Sequence, residues 1–277
     1  MKITDINGSV TLSNDIKMPY LGLGVYKTKN GEEVYNAVKH ALDTGYKHID
    51  TAAAYFNEEG VGKAIKEHQI SRKDIFISTK VWNSDQGYDS TIKAFNNSLK
   101  KLDMEYIDLY LQHWPVKGKF KDTWRAMETL YEQGKIKAIG VCNFLQFQLE
   151  DLMESSNIKP MVNQVEFHPF LTQESLQKFC KNEEIQYQSW FPLMHGEAFK
   201  IEIFQELADK YHRTIAQILL RWNLQKDIII IPKSKSKMHI IENSQLFDFE
   251  ISEEDMFLLD SLNRDLRMGP DPANFNF

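Results

Sequence analysis

The sequence predicts an α/β fold: a (β/α)8 TIM barrel with an N-terminal β-hairpin plug and an extra C-terminal helix. Three observations predict it. Short β-rich runs recur about every 25 to 35 residues, a helical pattern follows each, and the runs number eight. Alternating strand and helix implies a parallel sheet, and eight such units can close on themselves within about 250 residues, which suits a chain of 277. The right-handed crossover rule leaves little further topological choice.

The elements follow in order. "NGSVTLSNDIKM" alternates turn residues with "VTL" and "IKM", the mark of a hairpin placed to plug one barrel end. The eight runs are "YLGLG" (20–24), "HID" (48–50), "IFISTK" (75–80), "IDLYLQ" (107–112), "IGVCN" (139–143), "MVNQVEF" (161–167), "IQYQSW" (185–190) and "IIIIP" (228–232). Between the first two, "GEEVYNAVKHALDTG" spaces Val34, Val38, Ala41 and Leu42 along one helical face and stops at Gly45. "KDTWRAMETLYEQGK" repeats the device, with Asp122 as N-cap and Gly134 as the stop. After the last run, "ISEEDMFLLDSLN" reads as one more amphipathic helix, and "RMGPDPANFNF" has no period. No linker, repeat or low-complexity stretch interrupts the chain, so residues 1–277 read as a single domain.

Composition narrows the class. With 42% hydrophobic and 26% charged residues and a net charge of −6, the chain reads as a soluble globular protein whose partner is not nucleic acid. Two cysteines, Cys142 and Cys180, form no metal-ligand spacing and suit a reducing compartment, the cytoplasm by default. The N-terminus turns polar within a few residues, and apolar runs such as Ile228 to Ile231 fall far short of the ~20 residues of a membrane span.

Barrel enzymes collect their chemistry at the carboxyl ends of the strands. Asp50 ends the second run, Lys80 ends the third, His113 follows the fourth and Asn143 ends the fifth, while Gln164 and Glu166 fall near the end of the sixth. Each alone has a plain structural reading: a lysine leaving a strand, an aspartate forming a turn, a histidine in a core. Their convergence on one mouth, with Tyr55 in the loop after Asp50, points instead to a reactive site.

These residues carry a family resemblance. "GYKHIDTAAAYFNEEGVGKAI", "ISTKVW", "LQHWP", "IGVCNF", "VNQVEFHP" and "IPKS" resemble the motif series of the aldo-keto reductases, in order and at family-like spacing, from about residue 5 to the C-terminus. "SWFPLMHG" and "GPDPANFNF" are most similar to the bacterial glyoxal reductase and 2,5-diketogluconate reductase branch. The resemblance implies a catalytic tetrad of Asp50, Tyr55, Lys80 and His113. The chemistry agrees: carbonyl reduction needs a hydride, which no side chain can donate, and a proton, which a tyrosine can. A phenol with pKa near 10 must be tuned for that work, and an ammonium ~4 Å away at an effective dielectric of ~20 is worth about 4 kcal/mol. Lys80 would supply it, Asp50 would hold Lys80, and His113 would hydrogen-bond the carbonyl oxygen.

For the cofactor, "LGLGVYK" lacks the third glycine of a dinucleotide fingerprint, whereas "IIIIPKSKSKMHIIEN" places lysines and serines where barrels bind phosphate. The resemblance implies NADPH. It puts Lys233 and Ser234 on the 2′-phosphate, Glu242 and Asn243 by the adenine, Asn143 and Gln164 on the nicotinamide carboxamide, and Trp190 against its ring. Val25 and Leu193 join the contacts. Three positions depart from the family pattern: Cys142 replaces a serine, Phe191 replaces a serine near the pyrophosphate, and His239 replaces a phosphate-binding arginine. A permanent cation gives way to a titrating one, so the preference for NADPH over NADH should be weaker and pH-dependent.

Tyr26, Trp82, His113 and Trp114 would line the substrate pocket by the same resemblance. The short tail after Arg267 suggests an open pocket for small aldehydes, α-dicarbonyls such as methylglyoxal, or keto-sugar acids, worked by a monomer. The rival readings are an aldolase-like barrel using Lys80 as a Schiff base and a non-catalytic cofactor-sensing subunit. A metal hydrolase is disfavoured because the eight histidines form no pair at ligand spacing.

Overall fold

The computed structural model describes residues 3–277. An antiparallel hairpin, β1 (Ser9–Thr11) and β2 (Lys17–Pro19), precedes the barrel. All eight predicted runs then appear as strands of one sheet: β3 (Leu23–Gly24), β4 (His48–Asp50), β5 (Phe76–Val81), β6 (Ile107–Gln112), β7 (Ile136–Cys142), β8 (Val162–Glu166), β9 (Gln186–Trp190) and β10 (Ile229–Ile230). Each lies parallel to its sequence neighbour. The sheet closes where Leu21 bridges Ile230 and Gly24 bridges Lys233. Helices outside and side chains inside cover both faces, so every residue of β5, β7's last five and all of β8 are buried. That is why these strands show no clean apolar–polar alternation: polar residues such as Ser78, Thr79, Asn163 and Gln164 are buried along with their apolar neighbours.

The helices are α1 (Glu32–Thr44), α2 (Glu58–His68), α3 (Tyr88–Leu102), α4 (Phe120–Glu132), α5 (Gln146–Met153), α6 (Glu174–Asn182), α7 (Glu202–Tyr211), α8 (Ile215–Gln225), α9 (Lys237–Glu242) and α10 (Glu253–Ser261). Helix α1 buries the predicted Val34, Val38, Ala41 and Leu42 and stops at Gly45, whose φ of 102° lets its N–H reach the Ala41 and Leu42 carbonyls. Gly134 ends α4 in the same left-handed region, but Asp122 is not its N-cap. The helix begins earlier, after Lys119, and Asp122 lies in its first turn paired with Arg125 at 2.9 Å. A carboxylate there still faces the positive end of the helix, which is the signal the sequence carried.

Between β9 and β10 the chain makes two helices rather than one, α7 and the almost wholly buried α8. The extra C-terminal helix is α10, capped by Ser252. The hairpin plugs the amino end of the barrel: Asn14 Nδ2 donates to the Lys137 carbonyl near the start of β7 at 2.9 Å, and Met18 is fully buried. The opposite, carboxyl end is left for chemistry. Among the described residues, no helix is long and apolar enough to cross a membrane.

Closure depends on Gly24. A β-carbon there would stand 2.7 Å from the Ile231 carbonyl oxygen, so the first strand could not approach the last. Gly24→Ala should therefore lower unfolding stability by about 1–3 kcal/mol in a urea titration. Unchanged stability would show that the seam can relax.

Candidate active site

Parallel register turns the barrel interior into a layer of polar side chains. Asp50 on β4 pairs with Ser78 on β5, and Lys80, two residues on, returns to the same inward face. Across the barrel Gln164 on β8 is in register with Gln188 on β9. The ion pair at its centre is hydrogen-bonded on both sides, while Gln188 Nε2 is buried without a partner. Lys80 Nζ donates to both Asp50 oxygens, at 2.5 and 2.7 Å, and to the Thr51 carbonyl at 2.9 Å. Gln164 Nε2 donates to the same carboxylate at 3.2 and 3.3 Å and to Gln188 Oε1 at 3.0 Å.

The loop after β4 delivers the phenol. Ala52 is extended, Ala53–Tyr55 make a tight 3-10 turn, and Phe56 leaves it in the left-handed region with φ of 56°. Buried Asn57 fixes the loop, accepting from Thr51 Oγ1 at 2.7 Å and donating to the Val25 and Thr28 carbonyls at 2.9 Å each. Small Ala54 lines the cleft beside Tyr55, whose hydroxyl stands 3.4 Å from Lys80 Nζ. Tyr55 and His113 meet edge to face at 5.8 Å between ring centroids.

Electrostatics sets the protonation states. Burial pulls Lys80 down, but the Asp50 carboxylate outweighs it and leaves the ammonium above its ordinary value. Burial pushes the Tyr55 phenol above its ordinary 10, and the Lys80 charge draws it only part of the way back. The expectation that Lys80 alone would make the phenol acidic thus misses the larger desolvation effect. Burial and then the Lys80 charge hold His113 well below the usual imidazole range, so it is neutral and keeps one N–H to donate. Its Nδ1 is buried without a protein partner. Burial likewise keeps Cys142 a thiol.

One cleft of about 860 Å³ gathers every predicted catalytic, cofactor and substrate residue except Lys80, which lies behind Asp50 and Tyr55 with no exposed surface. At one end Asn143, in the left-handed region with φ of 64°, donates from Nδ2 to the His113 carbonyl at 3.0 Å and accepts from Trp190 Nε1 at 2.8 Å. Cys142 Sγ reaches Gln164 Oε1 at 3.6 Å. Phe191 packs edge to face between Trp190 and His195. Val25 and Leu193 line the passage toward Lys233, Ser234, His239, Glu242 and Asn243. Partial desolvation and neighbouring Lys235 hold Lys233 below its ordinary value, while the adjacent Glu33 carboxylate is taken by Lys235 at 2.9 Å. Crowded cations beside a serine hydroxyl are a donor set that a phosphate would relieve, and a cleft of about 860 Å³ is of the size that cofactor sites have.

Several residues went unread in the sequence. Lys27 and His195 line the cleft beside Lys233. Asn57 and Gln188 act behind it. The tail after Arg267 is short, yet Met268, Gly269, Pro270 and Phe277 all line the cleft.

Fold and site together define a barrel oxidoreductase. Residues 20–264 match the model of the aldo/keto reductase family, and the chain belongs to that family. It is 52% identical over 274 residues to a glyoxal reductase of Bacillus subtilis, covering 99% of both chains. It is 43% identical over 270 residues to the methylglyoxal reductase DkgA of Escherichia coli K12, covering 96% of this chain and 97% of the relative. A crystal structure of a Gox0644 mutant in complex with NADPH superposes with a TM-score of 0.93 at 38% identity, over 98% of this chain and 99% of that one. The protein is accordingly an enzyme that uses NAD(P)H to reduce carbonyl compounds.

The buried ion pair makes a direct test of this electrostatic layer. Asp50→Asn leaves Lys80 uncompensated and should cost about 3–5 kcal/mol of stability at neutral pH. Adding Lys80→Met should recover part of that loss in chemical denaturation, and a double variant less stable than the single one would contradict the pairing.

Proposed function

We propose that this protein reduces aldehydes and α-dicarbonyls such as methylglyoxal to alcohols, with NADPH as the preferred donor and Tyr55 as the proton source. The observation that carries it is a phenol 3.4 Å from a fully buried ammonium at an aromatic-walled barrel mouth. The relatives named for glyoxal and methylglyoxal reduction support the substrate class. Bound NADPH would supply the hydride, held by Asn143, Gln164 and Trp190 at one end and by Lys233, Ser234, His239, Glu242 and Asn243 at the other.

The chain's own residues do the rest. Neutral His113 donates a hydrogen bond to the substrate oxygen and orients it toward Tyr55. As negative charge grows on that oxygen, Tyr55 gives up its proton and becomes a phenolate. Lys80 stabilises that phenolate, and Asp50 keeps Lys80 charged and aimed. Tyr26, Trp82 and Trp114 wall the pocket and exclude water, which strengthens each of these interactions. Val25, Cys142, Phe191 and Leu193 give the passage between the two ends a largely apolar lining.

Schiff-base chemistry at Lys80 is disfavoured by its setting. An amine must be neutral and reachable to attack a carbonyl, whereas Lys80 is fully buried, triply hydrogen-bonded and held protonated. The same reading carries a cytoplasmic monomer without nucleic-acid or membrane partners, consistent with the acidic net charge of −6.

Two measurements test the assignment. Tyr55→Phe should lower kcat for methylglyoxal reduction by about 10²–10⁴ while NADPH binding, followed by fluorescence, persists; near-normal turnover would remove Tyr55 from the reaction. Because the donor must be protonated and its pKa is raised above 10.0, wild-type reduction should hold on the alkaline side until beyond that value. The coenzyme is tested separately. With a histidine in place of a bidentate guanidinium, the NADPH:NADH ratio of kcat/KM should rise about threefold or more in His239→Arg. A ratio unaffected by His239→Arg would contradict the role given to His239.

A further inference from the structure

Glu166 ends β8 at the same mouth as the catalytic residues and is fully buried, yet its carboxylate turns to the C-terminal tail. Oε1 accepts from Met268 N at 2.6 Å, and Oε2 accepts from Gly269 N at 3.0 Å. Consecutive backbone N–H groups on the two oxygens of one carboxylate fix the direction of the chain as well as its attachment. His168 Nε2 meets Oε1 at 3.0 Å, and the Arg267 guanidinium stands 3.6 Å from Oε2. Arg267 donates to Gln173 Oε1 at 3.0 Å, and Gln173 Nε2 returns to the Glu166 carbonyl at 2.6 Å. A carboxylate removed from water needs such partners, and these join β8 and the loop after it to the start of the tail.

The tail so fixed lies against Trp190. Glu166 and Trp190 are partners in the parallel register of β8 and β9, so their side chains leave the sheet on the same face. A β-carbon at Gly269 would stand 2.5 Å from Trp190 Cη2, 3.3 Å from Cζ3 and 3.0 Å from Glu166 Oε2. A residue without a side chain permits that approach. The indole is therefore held at both ends: Nε1 donates to Asn143 Oδ1 at 2.8 Å, and the far edge of the benzo ring abuts Gly269. Phe191 packs edge to face on it at 5.2 Å. Gly269, Trp190 and Asn143 all line the cleft, and the last two are the residues that the proposed function gives to the nicotinamide.

We infer that Glu166 is a positioning residue for the cofactor: it seats Gly269 against Trp190, and that seat fixes the indole beside which the nicotinamide is held. The inference rests on the reductase reading and deepens it. Two other side chains hold the tail farther along, Gln148 at the Pro272 carbonyl and Asn83 at the Phe277 carbonyl. Releasing the tail there leaves the Gly269 seat intact, which separates the seat from tail order in general.

The test measures NADPH binding by fluorescence alongside steady-state reduction of methylglyoxal at saturating NADPH. Glu166→Gln sets an amide donor against one of the two backbone N–H groups, and Gly269→Ala drives a methyl group into the indole. Each should raise the NADPH Kd about three- to tenfold and lower kcat/KM about tenfold. Asn83→Ala should leave the NADPH Kd within about twofold of wild type. In a Trp190→Phe background, which lacks the benzo ring that the methyl would strike, Gly269→Ala should add less than about twofold to the Kd. Wild-type Kd and kcat/KM in Glu166→Gln and Gly269→Ala overturn the inference. So does an equal loss of NADPH affinity in Asn83→Ala, or a loss in Gly269→Ala that is as large beside Phe as beside Trp190, since either assigns the effect to a loosened tail. If Glu166→Gln fails to fold, Glu166→Asp keeps the charge but shortens its reach, and it is held to the same criteria together with Gly269→Ala. A wild type that binds no NADPH and reduces no carbonyl overturns the reductase reading itself, whereas an active wild type with indifferent variants overturns the role of Glu166 alone.

Discussion

The site depends on one buried ion pair. Burying Lys80 and Asp50 together costs several kcal/mol of hydration per ion, a cost that only close geometry and further hydrogen bonds can offset. Both are present: two Lys80–Asp50 contacts, the Thr51 carbonyl on the ammonium side and Gln164 on the carboxylate side. Such a pair is poor evidence for stability. It is better understood as the means of keeping a positive charge permanently behind Tyr55, where water cannot screen it.

The barrel makes that placement affordable by backbone register alone. Adjacent parallel strands send Asp50 and Lys80 inward at the carboxyl end, while the loop after β4 has only to carry Tyr55 over them. Asn57 ties that loop to the one after β3 through Val25 and Thr28, so the phenol and the start of the cofactor passage are fixed to each other. The cleft is then divided by chemistry. Cations gather at the phosphate end; rings gather at the substrate end.

Sequence made the frame and the tetrad legible for physical reasons. Short β-rich runs returning between helical patterns mark the strands of a parallel barrel, and that frame places the polar residues at their carboxyl ends on one mouth. Other features were masked. Asp122 lies in the first turn of α4 rather than at its N-cap because a first-turn carboxylate and a capping one gain from the same positive helix end. The pair α7 and α8 merges into one long region of mixed pattern, since α8 is buried all round and shows little periodicity. The tail has no period to detect, because it is placed by hydrogen bonds between its backbone and Glu166, which accepts, and Gln148 and Asn83, which donate. Nor could spacing reveal that burial outweighs Lys80 in setting the Tyr55 phenol, which is a balance between two opposing effects.

The coupling between Lys80 and Tyr55 can be measured directly by ¹³C NMR titration of ring-labelled tyrosine, with the Tyr55 resonance assigned by its loss in Tyr55→Phe. The account requires Tyr55 to ionise above the ordinary value of 10.0 in wild type and higher still in Lys80→Met, where the opposing cation is gone. A Tyr55 titration that is unmoved, or lowered, by Lys80→Met would contradict it.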